Sequence, residues 1–157
     1  MRKVISNTTP LIGLSETGCL NLLKKLYGEI LIPTAVLSEI KSEPSKSLVK
    51  NSDFIRVLSI SDTNAGKIFS SKLHAGEKEV ILLAEKLKAD LLLMDDNAAK
   101  KTAKFMGMKV TGTLGILLKA KQNGYISEIK PFLIRLTDTG FFISERIYQF
   151  VLEEANE

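Results

Sequence analysis

Residues 89–101 read ADLLLMDDNAAKK. Leu91-Leu92-Leu93-Met94 is an unbroken apolar run four residues long. That is the pattern of a central strand covered on both faces, since a half-exposed strand would alternate polar and apolar residues. Asp95-Asp96-Asn97 ends the strand and offers caps for a helix predicted over Ala98 to Met106. Gly107 stops that helix, and Lys109-Val110-Thr111 is a short further strand. Upstream, Gly76 to Lys88 predicts a helix whose buried stripe is Val80, Ile81, Leu83, Ala84 and Leu87.

The same alternation extends to both ends of the chain. Lys3 to Ser6 and Glu29 to Ile32 read as strands, with a helical pattern from Leu11 to Tyr27 interrupted near Gly18. Pro33 suits the first turn of a helix that Ala35 to Lys41 continues. Phe54 to Ile60 is another strand, and Ser61-Asp62 looks like the cap of the next helix. Glu43 to Ser52, rich in Ser and Lys with Pro44, is expected to be a solvated connection. Helical patterns close the chain at Leu114 to Asn123, Ser127 to Leu136 and Ser144 to Glu154. Strands alternating with helices mean crossovers and a parallel sheet. The expected fold class is therefore α/β, with a central parallel sheet of four to five strands flanked by helices, in one domain over residues 1–157.

The composition excludes several functions. With 157 residues, 45% of them hydrophobic and 25% charged, the chain has ordinary globular proportions. No apolar run reaches the length of a membrane span, and the N-terminal apolar stretch is too short for a secretory leader, so a cytoplasmic protein is expected. The net charge of +4 permits contact with a polyanion without demonstrating it. Eighteen of the 22 basic residues are lysines, which argues against bidentate arginine readout of bases. Cys19 is the one cysteine and sits among leucines, so it reads as a small core residue. His74 is the one histidine, and neither a nucleophile elbow nor a glycine-rich phosphate loop occurs.

In open parallel sheets, ligands bind beyond the carboxyl ends of the strands. Asn7 follows the first strand there, and Asp95 and Asp96 follow the run Leu91–Met94. Glu39 and Glu77 lie on helices that can reach the same rim. Each acid has a plain structural use, as an N-cap or a complement to a helix dipole. Two adjacent acids after a buried strand nevertheless repel each other unless a cation sits there. Oxygen ligands without His or Cys suit Mg²⁺ or Mn²⁺ rather than zinc. Lys100, Lys101 and Lys104 either hold phosphates beside this rim or form a solvated helix face.

The stretches VISNTTPLIGLSETGCLNLL, ILIPTAVLSEI, LHAGEKEVILLAEKLKADLLLMDDNAAKKTAKFMGMKVTGTLGILLKAKQNGYI and FFISERIYQFVLEEA resemble the PIN-domain proteins. More narrowly, they resemble an uncharacterised prokaryotic PIN subfamily described as nucleic-acid-binding proteins. The resemblance implies a three-layer sandwich and a Mg²⁺- or Mn²⁺-dependent ribonuclease acting on single-stranded RNA. It implies acids at Asn7, Glu39, Glu77 and Asp95 or Asp96, with Thr8 or Thr9 at the hydroxyl position after the first acid. It also implies a toxin of a toxin–antitoxin pair, inhibited by a small antitoxin protein, and a homodimer; the apolar pattern Phe141, Phe142, Ile143, Ile147, Tyr148 and Val151 suits core packing, the more frequent cause, or that dimer contact. Asn7 departs from the pattern, because a carboxamide brings an oxygen but no charge. Asp96 or Glu79 is the candidate to supply the missing charge. The alternative is a catalytically degenerate fold that binds nucleic acid or protein without cleaving, and a pure protein-interaction domain is a third expectation.

Overall fold

A computed structural model of the chain describes residues 2–59 and 75–157. Five parallel strands form one sheet: β1 (Val4–Ser6), β2 (Ile30–Pro33), β3 (Ile55–Leu58), β4 (Leu91–Leu93) and β5 (Val110–Thr111). Their spatial order is β3-β2-β1-β4-β5. The helices among the described residues are α1 (Thr8–Glu16), α2 (Asn21–Tyr27), α3 (Thr34–Glu39), α4 (Ser45–Lys50), α5 (Ala75–Leu87), α6 (Asn97–Phe105), α7 (Thr113–Gln122), α8 (Lys130–Asp138) and α9 (Glu145–Glu154). This is the expected α/β sandwich. The expected cap at Ser61-Asp62 and His74 lie outside the described residues.

The apolar runs behave as central strands should. Every residue of β1, β2 and β4 is buried. β3 lies at the edge, where Arg56 and Val57 face solvent. Register is set by parallel ladders that pair Ile5 with Leu31 on one side and with Leu92 on the other. Ile5 is fully buried, so its truncation to Ala costs about 2–5 kcal/mol.

Two expectations are corrected. Glu43 to Ser52 is not a bare connection but contains α4, which buries Ser45 and Val49. Its helical signal is weak because a six-residue helix presents so few positions to the core. The first helix begins at Thr8 rather than Leu11. Pro10 is tolerated in its opening turn because an N–H there has no intrahelical acceptor.

Cys19 is buried, as expected, and its Sγ lies 3.0 Å from the Thr17 hydroxyl. Burial pushes its thiol upward against the smaller opposing effects of Thr17 and Arg135. A thiol held protonated is a core group, not a nucleophile.

The strand order reverses about β1, which pairs with β2 on one side and β4 on the other. Right-handed crossovers put α1 and α4, which pack together, on the opposite face from α5, while α3 at the rim packs against α5. The carboxyl ends of β1 and β4 meet at this switch point, where such sheets bind ligands.

Candidate active site

Asn7 stands at the centre of the rim. It follows β1, and its backbone N–H donates to the Leu93 carbonyl at 2.8 Å, carrying the β1–β4 ladder one step past the strands. It occupies the N-cap position of α1, yet its side chain makes no capping bond. The usual acceptance is from the second or third helical N–H; the third residue here is Pro10, which has none. Asn7 is buried, and its Oδ1 has no hydrogen-bond partner among the described residues. Leaving such an acceptor unsatisfied costs about 1–3 kcal/mol, so the position calls for an occupant.

Glu39 ends α3 and reaches across to α5. Its Oε1 accepts from the Gly76 N–H at 2.9 Å and its Oε2 from the Thr8 hydroxyl at 2.6 Å. The carboxylate therefore rests on the positive end of the α5 dipole. A Cβ at position 76 would lie 2.5 and 2.6 Å from the two Glu39 oxygens, so a side chain there would displace the carboxylate. Glu77 follows in the first turn of α5 and is buried.

Asp95 leaves β4 and turns toward α7. Its Oδ1 accepts from the Thr113 N–H at 2.8 Å and its Oδ2 from the Thr113 hydroxyl at 2.7 Å. Residue 112, the N-cap of α7, is a glycine, so Asp95 supplies the cap that Gly112 lacks. A Cβ on Gly112 would stand 2.7 Å from Asp95 Oδ1 and 3.1 Å from Lys100 Nζ, which places both charged groups against that glycine. Asp96 turns the other way and caps its own helix α6, accepting from the Ala99 N–H at 2.9 Å.

The acidic pair therefore does not by itself demand a cation. Asp95 and Asp96 are directed to the starts of different helices, where backbone N–H groups and dipoles offset their charge. Glu39 is treated the same way. Glu79 does not supply the charge missing at Asn7, because its carboxylate faces the start of α3, accepting from the Ala35 N–H at 3.4 Å.

A groove of about 780 Å³ opens beside these groups, lined by Thr9, Glu77, Asp95, Asp96, Lys100 and Phe142 among others. Three sequence expectations separate here. Thr9 faces the groove, whereas the Thr8 hydroxyl is committed to Glu39. Lys100 lines the groove, whereas Lys101 and Lys104 are exposed on α6 and do not. One step along a helix turns the side chain by about 100°, which is why adjacent lysines have different surroundings.

The donor set is wholly oxygen, and the buried, unpartnered Asn7 Oδ1 is the type of group a hard cation satisfies. Among the described residues, however, no three of His, Cys, Asp and Glu stand together as a ready ligand cluster. An oxygen-only donor set suits a hard divalent cation rather than zinc.

Thr113, Gly76 and Gly112 were not singled out from sequence. Their available signal is a small residue at a helix start just after a strand or loop, where an acid from another element can approach. No helix among the described residues is long and apolar enough to cross a membrane. The family model DUF3368, described as a PIN domain, matches residues 3–157. No curated protein matches the chain.

Proposed function

The chain belongs to the PIN-domain family, a nuclease-type fold, and on that premise we propose that it is a divalent-metal-dependent ribonuclease acting on single-stranded RNA. The observation that carries this reading is the groove just past the ends of β1 and β4, which is lined by Thr9, Glu77, Asp95, Asp96 and Lys100. Asn7, Glu39, Glu77, Asp95 and Asp96 are the residues that would hold Mg²⁺ or Mn²⁺. When bound, such an ion acidifies water and screens the charge of a reacting phosphate.

The chain's own residues do the rest. Lys100 binds a phosphate oxygen and sets the backbone against the acids. Thr113 fixes the Asp95 carboxylate through two hydrogen bonds, so Asp95 meets substrate without reorganising. The Thr8 hydroxyl and the Gly76 N–H orient Glu39 in the same way. A groove on a sheet rim cannot enter the deep, narrow major groove of an RNA duplex, which favours an unpaired strand. Carried further, this reading makes the chain the toxin of a toxin–antitoxin pair, its small partner blocking the groove.

The neutral Asn7 favours a second reading, a PIN fold that binds RNA but no longer turns it over. One experiment separates the two. Purified protein is given Mn²⁺ and a labelled single-stranded RNA, alongside Glu77→Gln and Asn7→Asp. The ribonuclease reading expects cleavage by the wild type, its loss in Glu77→Gln, and tighter Mn²⁺ binding with faster cleavage in Asn7→Asp. Cleavage that survives in Glu77→Gln sinks the site assignment. Cleavage seen only in Asn7→Asp establishes the degenerate reading.

A further inference from the structure

The geometry points to Phe142 as a base-stacking residue that holds an unpaired nucleotide over the groove, an inference that rests on single-stranded RNA being the ligand of that groove. Phe142 is 88% exposed, as Phe105 is at 93%, so exposure alone marks neither ring; what sets Phe142 apart is its place in the groove. It lines the same groove as Glu77, Asp95 and Lys100.

The ring's position is built. Helix α8 ends in a Schellman motif at Gly140, whose φ is +96°. The Gly140 N–H donates to the Thr137 carbonyl at 3.1 Å, and the Phe141 N–H to the Leu136 carbonyl at 3.0 Å. Phe141 and Leu136 then pack together against Gly13 of α1. Two residues after Phe142, Ser144 caps α9 by accepting from the Ile147 N–H at 3.2 Å. Phe142 is thus carried on a short segment fixed on both sides, so presenting its ring costs little further ordering.

Stacking on an aromatic face suits every base and needs no hydrogen-bond code, but it requires a base free of its own stack. Lys100 in the same groove complements the phosphate of a nucleotide so placed. Ile147 and Phe150 extend the exposed apolar surface along α9, so a second copy of the chain is the competing occupant that the test must separate.

The test measures fluorescence anisotropy of a 5′-labelled oligouridine in an Asp95→Asn background, which removes turnover and part of the repulsion. Phe142→Ala should weaken binding roughly 5- to 150-fold, and Phe142→Trp should retain it. An oligonucleotide with one base removed at the stacked position should lose the same factor on Phe142 and lose nothing further on Phe142→Ala. Sedimentation should give one mass for both proteins. Unchanged affinity in Phe142→Ala overturns the inference even if the protein cleaves RNA. A fall from dimer to monomer in Phe142→Ala with RNA affinity intact overturns it and makes the ring a contact between copies. Phe142-dependent binding by a protein whose Asp95 form never cleaves supports stacking while removing the ribonuclease reading. An absence of any RNA binding removes both.

Discussion

Glu39 and Glu157 do the same local work in different parts of the molecule. Each carboxylate accepts backbone N–H groups at the start of a helix that it does not belong to. Glu39 takes the Gly76 N–H at α5. Glu157 takes the N–H groups of Ile129 and Lys130, at 2.7 and 3.2 Å, where α8 begins. The difference lies in the remaining partner. Glu157 is paired with the Lys121 ammonium at 2.8 Å, and the same ammonium also bonds the Ala155 carbonyl. Among the described residues, Glu39 has the Thr8 hydroxyl in that place. Among the described residues two ion pairs form, Lys24–Asp53 and Lys121–Glu157, and neither is at the rim. Lysine compensation makes the far corner a closed latch. Among the described residues, neutral donors hold the Glu39 and Asp95 carboxylates in place and neither forms an ion pair.

The comparison can be broken at three points. The largest effect is expected from the neutral donors themselves. Thr113→Val deletes one of the two hydrogen bonds that aim Asp95 while removing no charge. RNA cleavage with Mn²⁺ should fall about 10- to 100-fold, as for other residues that orient a metal ligand. Unchanged turnover would show that Asp95 needs no fixing. Next, Gly76→Ala drives a methyl into the Glu39 carboxylate and forces it off α5. The expected loss is about 1–3 kcal/mol of stability, the usual cost of overpacking. Thermal unfolding would then shift down by about 2–4 °C per kcal/mol. An unmoved Tm would mean that Glu39 contributes nothing as a cap.

The smallest effect belongs to the latch. Burial works to raise the Glu157 pKa, but the hydrogen bonds from Lys121, Ile129 and Lys130 together outweigh it and hold the group below its ordinary value of 4.5. A carboxylate with a depressed folded-state pKa stabilises fully above its unfolded value and loses that contribution as pH falls through the folded one. Glu157→Gln should therefore cost about 0.5–1 kcal/mol at neutral pH, a figure already limited by solvent screening. The gap between the two proteins should close as urea titrations are carried below pH 4.5. A gap independent of pH would mean that the amide fails for reasons of shape.

Much of the fold was legible because burial imposes a period on the chain. Leu91-Leu92-Leu93-Met94 has the unbroken apolar pattern of a strand covered on both faces, and the stripe from Val80 to Leu87 has that of an amphipathic helix. α4 was not legible, since Ser45 and Val49 alone face inward and the surrounding lysines and serines read as loop. Glu77, Asp95 and Asp96 were legible as rim residues from their places at strand and helix ends. Their partners were not. The bonds that hold Glu39 span 31 and 37 residues of sequence, and those that hold Asp95 span 18.

By itself, the amino-acid order determined a parallel α/β sheet and an oxygen-only inventory at its carboxyl rim. It also placed a neutral Asn7 where the family pattern has an acid. Those properties follow from local periodicity and residue chemistry. Tertiary structure decided that Asp95 and Asp96 turn to different helix starts, that backbone N–H groups and threonine hydroxyls hold Glu39 and Asp95, that Asn7 Oδ1 is buried without a hydrogen-bond partner among the described residues, and that Phe142 stands beside the groove. Each of these depends on which distant elements meet, and packing of the whole chain settles that.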